Sequence, residues 1–135
     1  MKLNSSSRIL IACAAALLIG GAIWLGPKAT RYFKARHDVQ AILIGLNTYQ
    51  REHGSYPVGT AAELCGLLRG ENFQGQNPRR LDYIEAMPQE MNAVGSFLDP
   101  WGTPYHIVTI PQPLVYSCGP NRVDEQGRGD DIAAR

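Results

Sequence analysis

Acidic residues are missing from the first 37 positions of this 135-residue chain. Residues 1–37 carry six bases (Lys2, Arg8, Lys28, Arg31, Lys34 and Arg36), a local charge of +6. Residues 38–135 hold all 12 acids against seven bases, a local charge of −5, so the formal total of +1 conceals two opposite parts. A basic nucleic-acid binder is excluded, because the domain-sized part is acidic. Length adds a second exclusion. From Lys28 onward 108 residues remain, enough for one domain that buries roughly 60–65% of its surface, so a two-domain enzyme does not fit. Catalytic patterns are missing too. No Gly-rich phosphate loop follows a strand pattern, and His37, His53 and His106 lack metal-ligand spacing and adjoin no Ser or Cys nucleophile motif. Nothing fixes Glu85, Glu90 and Asp99 as an acid–base pair. The sequence therefore reads as non-enzymatic, with no small-molecule substrate in evidence.

What is present begins with an uncharged apolar run of 18 residues, Ile9 to Gly26. As a helix it measures roughly 27 Å, just short of a hydrocarbon core of about 30 Å. Trp24 near its end suits a headgroup region. A signal-peptide reading would cleave at Gly20-Gly21-Ala22, yet the run continues through Ile23, Trp24 and Leu25. Leu10-Ile11-Ala12-Cys13 looks like a lipobox, but only four apolar residues separate Arg8 from Cys13. The expectation is an uncleaved transmembrane segment. The parts are then a basic tail 1–8, a membrane span 9–26 and a domain 27–135. Charge alone does not orient it, since Lys28, Arg31, Lys34 and Arg36 crowd the far side and would favour a cytoplasmic domain.

Beyond Pro27, which suits a first turn or a kink, the pattern is helical. Tyr32, Ala35, Val39, Ile42, Leu46 and Tyr49 recur every three or four residues, and Phe33 and Leu43 widen this stripe as expected for a helix on a sheet. Gly54 fits a left-handed helix end. Thr60 with Glu63 three residues later forms a capping box for a second helix carrying Leu64, Leu67 and Leu68 and ending at Gly70. Residues 71–96 read as a long polar loop with an apolar patch at Leu81, Tyr83 and Ile84. Strand signals follow at Ser96–Leu98, Tyr105–Ile110 and Leu114–Ser117. The tail 119–135 has no apolar period, and no repeat or low-complexity tract occurs.

Two constellations could carry chemistry. Between Asn121 and Asp131, the carboxylates of Asp124, Glu125, Asp130 and Asp131 accompany two glycines. Ca²⁺ wants six to eight such oxygens on a flexible turn. EF-hand spacing is absent, and a solvated acidic tail is the other reading. Cys13 sits in the apolar run. Cys65 and Cys118 either pair as a disulfide or lie buried separately.

Three segments in order bring a family into view. Leu46 to Pro57, ending His53-Gly54-Ser55-Tyr56-Pro57, resembles the end of the long helix of type II secretion pseudopilins. Phe97-Leu98-Asp99-Pro100-Trp101-Gly102, running on to Tyr105, is similar to their Asp-Pro-Trp-Gly stretch. Val115 to Asn121, with Gly129-Asp130-Asp131-Ile132, resembles their closing strand and calcium loop. The likeness is greatest to the major (G-type) pseudopilins. It implies an α+β, type IV pilin-like fold: a long N-terminal helix, half membrane-spanning and half amphipathic, packed on a small antiparallel β-sheet. It further implies a structural subunit of a secretion apparatus, single-pass in the bacterial inner membrane with its C-terminal domain in the periplasm. Its partners would be other pseudopilin subunits, assembled through the helix stripe Tyr32, Ala35, Val39, Ile42, Leu46 and Tyr49. It also implies Ca²⁺ held by Asp130, Asp131 and Asn121 and by the backbone carbonyls of Cys118 and Pro120, with Asp124 or Glu125 compensating for Asn121 standing where the family has Asp. The N-terminus is atypical. Ser5-Ser6-Ser7-Arg8-Ile9-Leu10 has neither the Gly-Phe junction cut by prepilin peptidase nor the early glutamate. The alternative is a membrane-anchored periplasmic binding or sensor module that uses this fold outside a fibre.

Overall fold

In a computed structural model, residues 5–84 and 90–135 are described, with side chains from Lys28 onward. The chain divides into two units, Met1–Arg31 and Tyr32–Arg135. Helix α1 runs Ser5–His53 and stops where anticipated: Gly54 takes φ +80° and its N–H donates to the Gln50 carbonyl at 2.8 Å. A glycine adopts that conformation without Cβ cost.

Within the second unit, the α1 stripe forms one wall of the core. Val39, Ile42, Leu46 and Tyr49 pack in a single buried cluster with Leu64, Leu67 and Leu68, and with Phe97, Tyr105, Ile107 and Val115. Ala35 is buried as well, whereas Tyr32 is 43% exposed. Five of the stripe's six side chains are consumed by the chain's own core, where the area they remove from water stabilises the fold.

The capping box is present. Thr60 Oγ1 accepts from Glu63 N, Glu63 Oε2 accepts from Thr60 N, and α2 follows over Ala61–Leu68. Residues 71–84 are irregular apart from a 3-10 turn at Phe73–Gly75. Buried Asn77 fastens them. Its Nδ2 donates to the carbonyls of Leu67 (3.2 Å) and Leu81 (2.9 Å), and its Oδ1 accepts from Leu81 N (3.0 Å). A buried amide satisfied on both ends replaces the ladder that this segment lacks.

Three short strands make an antiparallel sheet in the order β1 (His106–Val108), β2 (Leu114–Ser117), β3 (Ile132–Ala134). The expected strand at Ser96–Leu98 is not one; Phe97 and Leu98 make isolated bridges to Met91 and Pro104. Strand β3 arises where the tail showed no period, because β2 supplies its partners from Val115 to Ser117.

The membrane-spanning half of the helix is also corrected. Among the described residues no helix is long and apolar enough to cross a membrane. From Lys28 to Asp38, α1 carries Lys28, Arg31, Lys34, Arg36 and Asp38, so an apolar window cannot be extended through this part. The side chains of 9–25, with Cys13 and Trp24, lie outside the described residues, as does Glu85. The transmembrane assignment and the single-pass inner-membrane, periplasm-facing localisation built on it are overturned by that finding.

Candidate functional site

The loop joining β2 to β3, residues 118–131, contains the candidate ligands. Its path requires glycine at Gly119. There φ is +66°, and a Cβ would come within 2.5 Å of the Asp130 carbonyl. This close approach brings the two ends of the loop together. Asn121 then meets Asp130: its N–H donates to Oδ2 at 3.4 Å and its Nδ2 donates to Oδ1. Asn121 Oδ1 accepts from Val123 N at 2.6 Å, which turns the chain as Asx residues do.

Asp131 faces a second set of donors. Its Oδ2 accepts from Glu125 N (3.0 Å) and Gly127 N (2.8 Å), while its Oδ1 is buried with no hydrogen-bond partner. Glu125 in turn accepts from Asp130 N through Oε2 at 2.9 Å. Asp124 is drawn away toward the sheet. Its Oδ1 accepts from Tyr116 OH (3.0 Å) and Gln126 N (2.8 Å), and His106 Nδ1 stands 3.9 Å from its Oδ2. The Gln126 N–H in particular holds the Asp124 carboxyl below the usual value. His106 stacks on Tyr116 with ring centroids 4.6 Å apart. The loop thus unites Asn121 with Asp130 and sets Asp131 beside Glu125, but it does not bring Asp124 to them. Among the described residues no group of three His, Cys, Asp or Glu side chains converges to hold a metal. The oxygen-only donors nonetheless fit a hard cation, because an orphaned buried carboxylate oxygen on Asp131 is the kind of atom such an ion satisfies.

Cys65 and Cys118 are both buried, and both are free in this structure. Burial pushes each thiol up to about 11; at Cys118 the nearby carboxylates, Asp131 foremost, add to it.

Two buried acids lie outside the expected ligand set, Asp99 of the Asp-Pro-Trp-Gly motif and Asp38, which no motif marks. Asp99, 1% exposed, accepts four hydrogen bonds. Oδ1 takes Trp101 N (3.0 Å) and Thr103 N (2.9 Å), and Oδ2 takes the hydroxyls of Thr103 and Ser117, each at 2.6 Å. Ser117 Oγ then accepts from Gly119 N at 3.0 Å. The Asp-Pro-Trp-Gly turn is therefore wired to the first residues of the acidic loop. Asp38, on the buried face of α1, accepts from Lys34 Nζ (2.7 Å) and Tyr105 OH (2.9 Å). Burial, then Asp38, pushes the Tyr105 phenol far up. A signal existed for Asp38: it stands three residues after Ala35 and four before Ile42, in the apolar stripe.

A long helix, a capped short helix and a three-stranded antiparallel sheet closed by an acidic loop define a pilin-like α+β architecture. No family model and no curated protein matches the chain. Among solved structures, it is similar to the crystal structure of the major pseudopilin from the type 2 secretion system of enterohaemorrhagic Escherichia coli. The identity is 23% and the TM-score 0.52, over 83% of this chain and 92% of that one. At that identity the likeness shows a shared fold.

Proposed function

We propose that this chain is a non-enzymatic structural subunit of pseudopilin type, acting in a type II secretion apparatus by stacking with copies of itself or with related subunits. One observation carries the reading: the fold is shared with a solved major pseudopilin over 83% of the chain. Supporting it, the turn at Asp99 and the acidic loop, the two segments that resemble the family in sequence, are joined through Ser117. Because the core consumes the α1 stripe, subunit contacts fall to the outward side of α1 and to the surface around α2.

The test is filament formation. The full chain, overproduced in a bacterium that carries a type II secretion apparatus, is expected in sheared filaments by immunolabelled negative-stain microscopy. Recovery solely as dispersed single copies would refute the proposal.

The same reading extends to Ca²⁺ in the closing loop, held by Asp130, Asp131 and Asn121 with the carbonyls of Cys118 and Pro120. Its support is the partnerless Oδ1 of Asp131. A bound divalent cation supplies positive charge against four carboxylates between residues 124 and 131. The chain's own part is to hold Asp131 on the Glu125 and Gly127 amides and Asp130 on Asn121.

A further inference from the structure

We infer that the chain carries a head-to-tail docking pair for a second copy. The Phe33–Arg36 corner of α1 on one copy seats in the hollow between α2 and residues 91–95 on the next. The inference rests on the assembly reading and gives it a surface.

The projecting half is Phe33, 75% exposed, with Arg36 one turn along the same side of the helix. Together with Tyr32 and Ile132 they line a shallow hollow of about 140 Å³. Trp101 steadies this corner by meeting Tyr32 edge-on, ring centroids 5.3 Å apart at 73°. Among the described residues the Arg36 guanidinium has no hydrogen bond or ion pair.

The receiving half is a hollow of about 220 Å³ whose lining includes Phe73, Met91 and Val94 with the carboxylates of Glu63 and Glu71. Val94 is 74% exposed. Glu71 lies across α2 at Gly66, where a Cβ would stand 2.5 Å from its Oε2. Glu63 Oε2 is used by the capping box, and Arg69 reaches the Met91 sulfur at the rim. Among the described residues the Glu71 carboxylate has no partner. An apolar floor beside an unpaired carboxylate complements an aromatic ring beside an unpaired guanidinium.

The two halves share no residue, so the contact is not self-complementary. One copy's projection enters the next copy's hollow, which leaves both outer ends free. Such heterologous contacts build open filaments when the rotation does not close a ring. Arg122 beside exposed Val123 is the competing basic-apolar corner, and the experiment separates the two.

The experiment places p-benzoylphenylalanine at Phe33 in the full chain, illuminates it under filament-forming conditions and maps the adducts by mass spectrometry. Adducts are expected between residue 33 of one copy and residues 62–73 or 91–95 of another. Glu71→Arg should lower their yield roughly tenfold, since like charges opposed at an interface are strongly unfavourable. Combining Glu71→Arg with Arg36→Glu should restore it, with circular dichroism unchanged throughout. The photoreactive group at Val94 supplies the reciprocal probe and is expected to capture the 33–36 segment. Filaments whose adducts land elsewhere, the 122–123 corner included, would overturn this docking pair while leaving assembly standing. Filaments with no adduct between copies from either position would overturn it equally. Absence of filaments under every condition would remove the assembly reading and the docking pair with it.

Discussion

Asp99 shows how one side chain couples two segments far apart in sequence. Its carboxylate satisfies two amides of its own turn and two hydroxyls, one of them on β2. Asp99→Ala strands all four donors in the interior and should cost about 3 kcal/mol in urea unfolding. Asp99→Asn keeps one acceptor and faces hydroxyls that can rotate, so roughly 1–2 kcal/mol is expected there. Equal losses for the two variants would mean that the turn is not held by this network. The phenols give a pH prediction at the same scale. Burial raises Tyr49, Tyr105 and Tyr116, and pushes Tyr83 up to about 12 with help from Glu52. These groups ionise near 10 when unfolded, so above pH 10 the unfolded chain sheds protons that the folded chain keeps. Their contribution is whole below pH 10 and is lost as pH rises toward and past 12. Thermal melting from pH 8 to 11.5 should show a falling Tm above pH 10, with a shallower fall in Tyr105→Phe. A flat profile would contradict it.

Among the elements, a tight contact lies where α1 meets the segment after α2. A Cβ at Gly45 would lie 2.9 Å from Ile84 Cγ1, 3.0 Å from the Tyr83 carbonyl and 3.3 Å from Leu68 Cδ2. Alanine is the better helix former by about 1 kcal/mol, but overpacking against a backbone atom costs about 1–3 kcal/mol. Gly45→Ala is therefore expected to be net destabilising by about 1 kcal/mol in denaturant titration; a gain would show that the Tyr83–Ile84 segment yields freely. The element pattern also marks how far the sequence could be read. Both glycine helix ends and the Thr60–Glu63 box were legible because their signals are local. Strand β3 was not, since Ile132-Ala133-Ala134 has no alternation of its own and is specified by pairing with β2. Phe97 and Leu98 show the reverse: strand-like residues confined to isolated bridges. The stripe on α1 is legible as a buried face from Ala35 to Tyr49, while Tyr32 and Phe33 at its start stay exposed; periodicity reveals that a face is covered and not by what.

At the scale of the whole molecule, the opposite charges of the two parts leave the closing loop as a concentration of like charge, with Asp124, Glu125, Asp130 and Asp131 within eight residues. Its conformation is kept by backbone amides that donate to the carboxylates of Asp124, Glu125 and Asp131. A ligand that binds the folded loop alone stabilises by RT ln(1 + [L]/Kd), about 2.7 kcal/mol at a hundredfold excess over Kd. For a folded unit of this size that amounts to a Tm rise on the order of 10 °C. Calcium added to the chelator-treated full chain should produce such a rise, and Mg²⁺ a smaller one, because the smaller ion demands stricter octahedral geometry. Asp131→Asn separates binding from folding. Its amide oxygen can still accept from Glu125 and Gly127, so the Tm without metal should stay near that of the parent. The side chain loses the charge and the free oxygen that a cation would use, so the calcium-dependent rise should largely vanish. Equal calcium responses in parent and variant would exclude Asp131 as a ligand, and no response in the parent would dismiss the metal altogether.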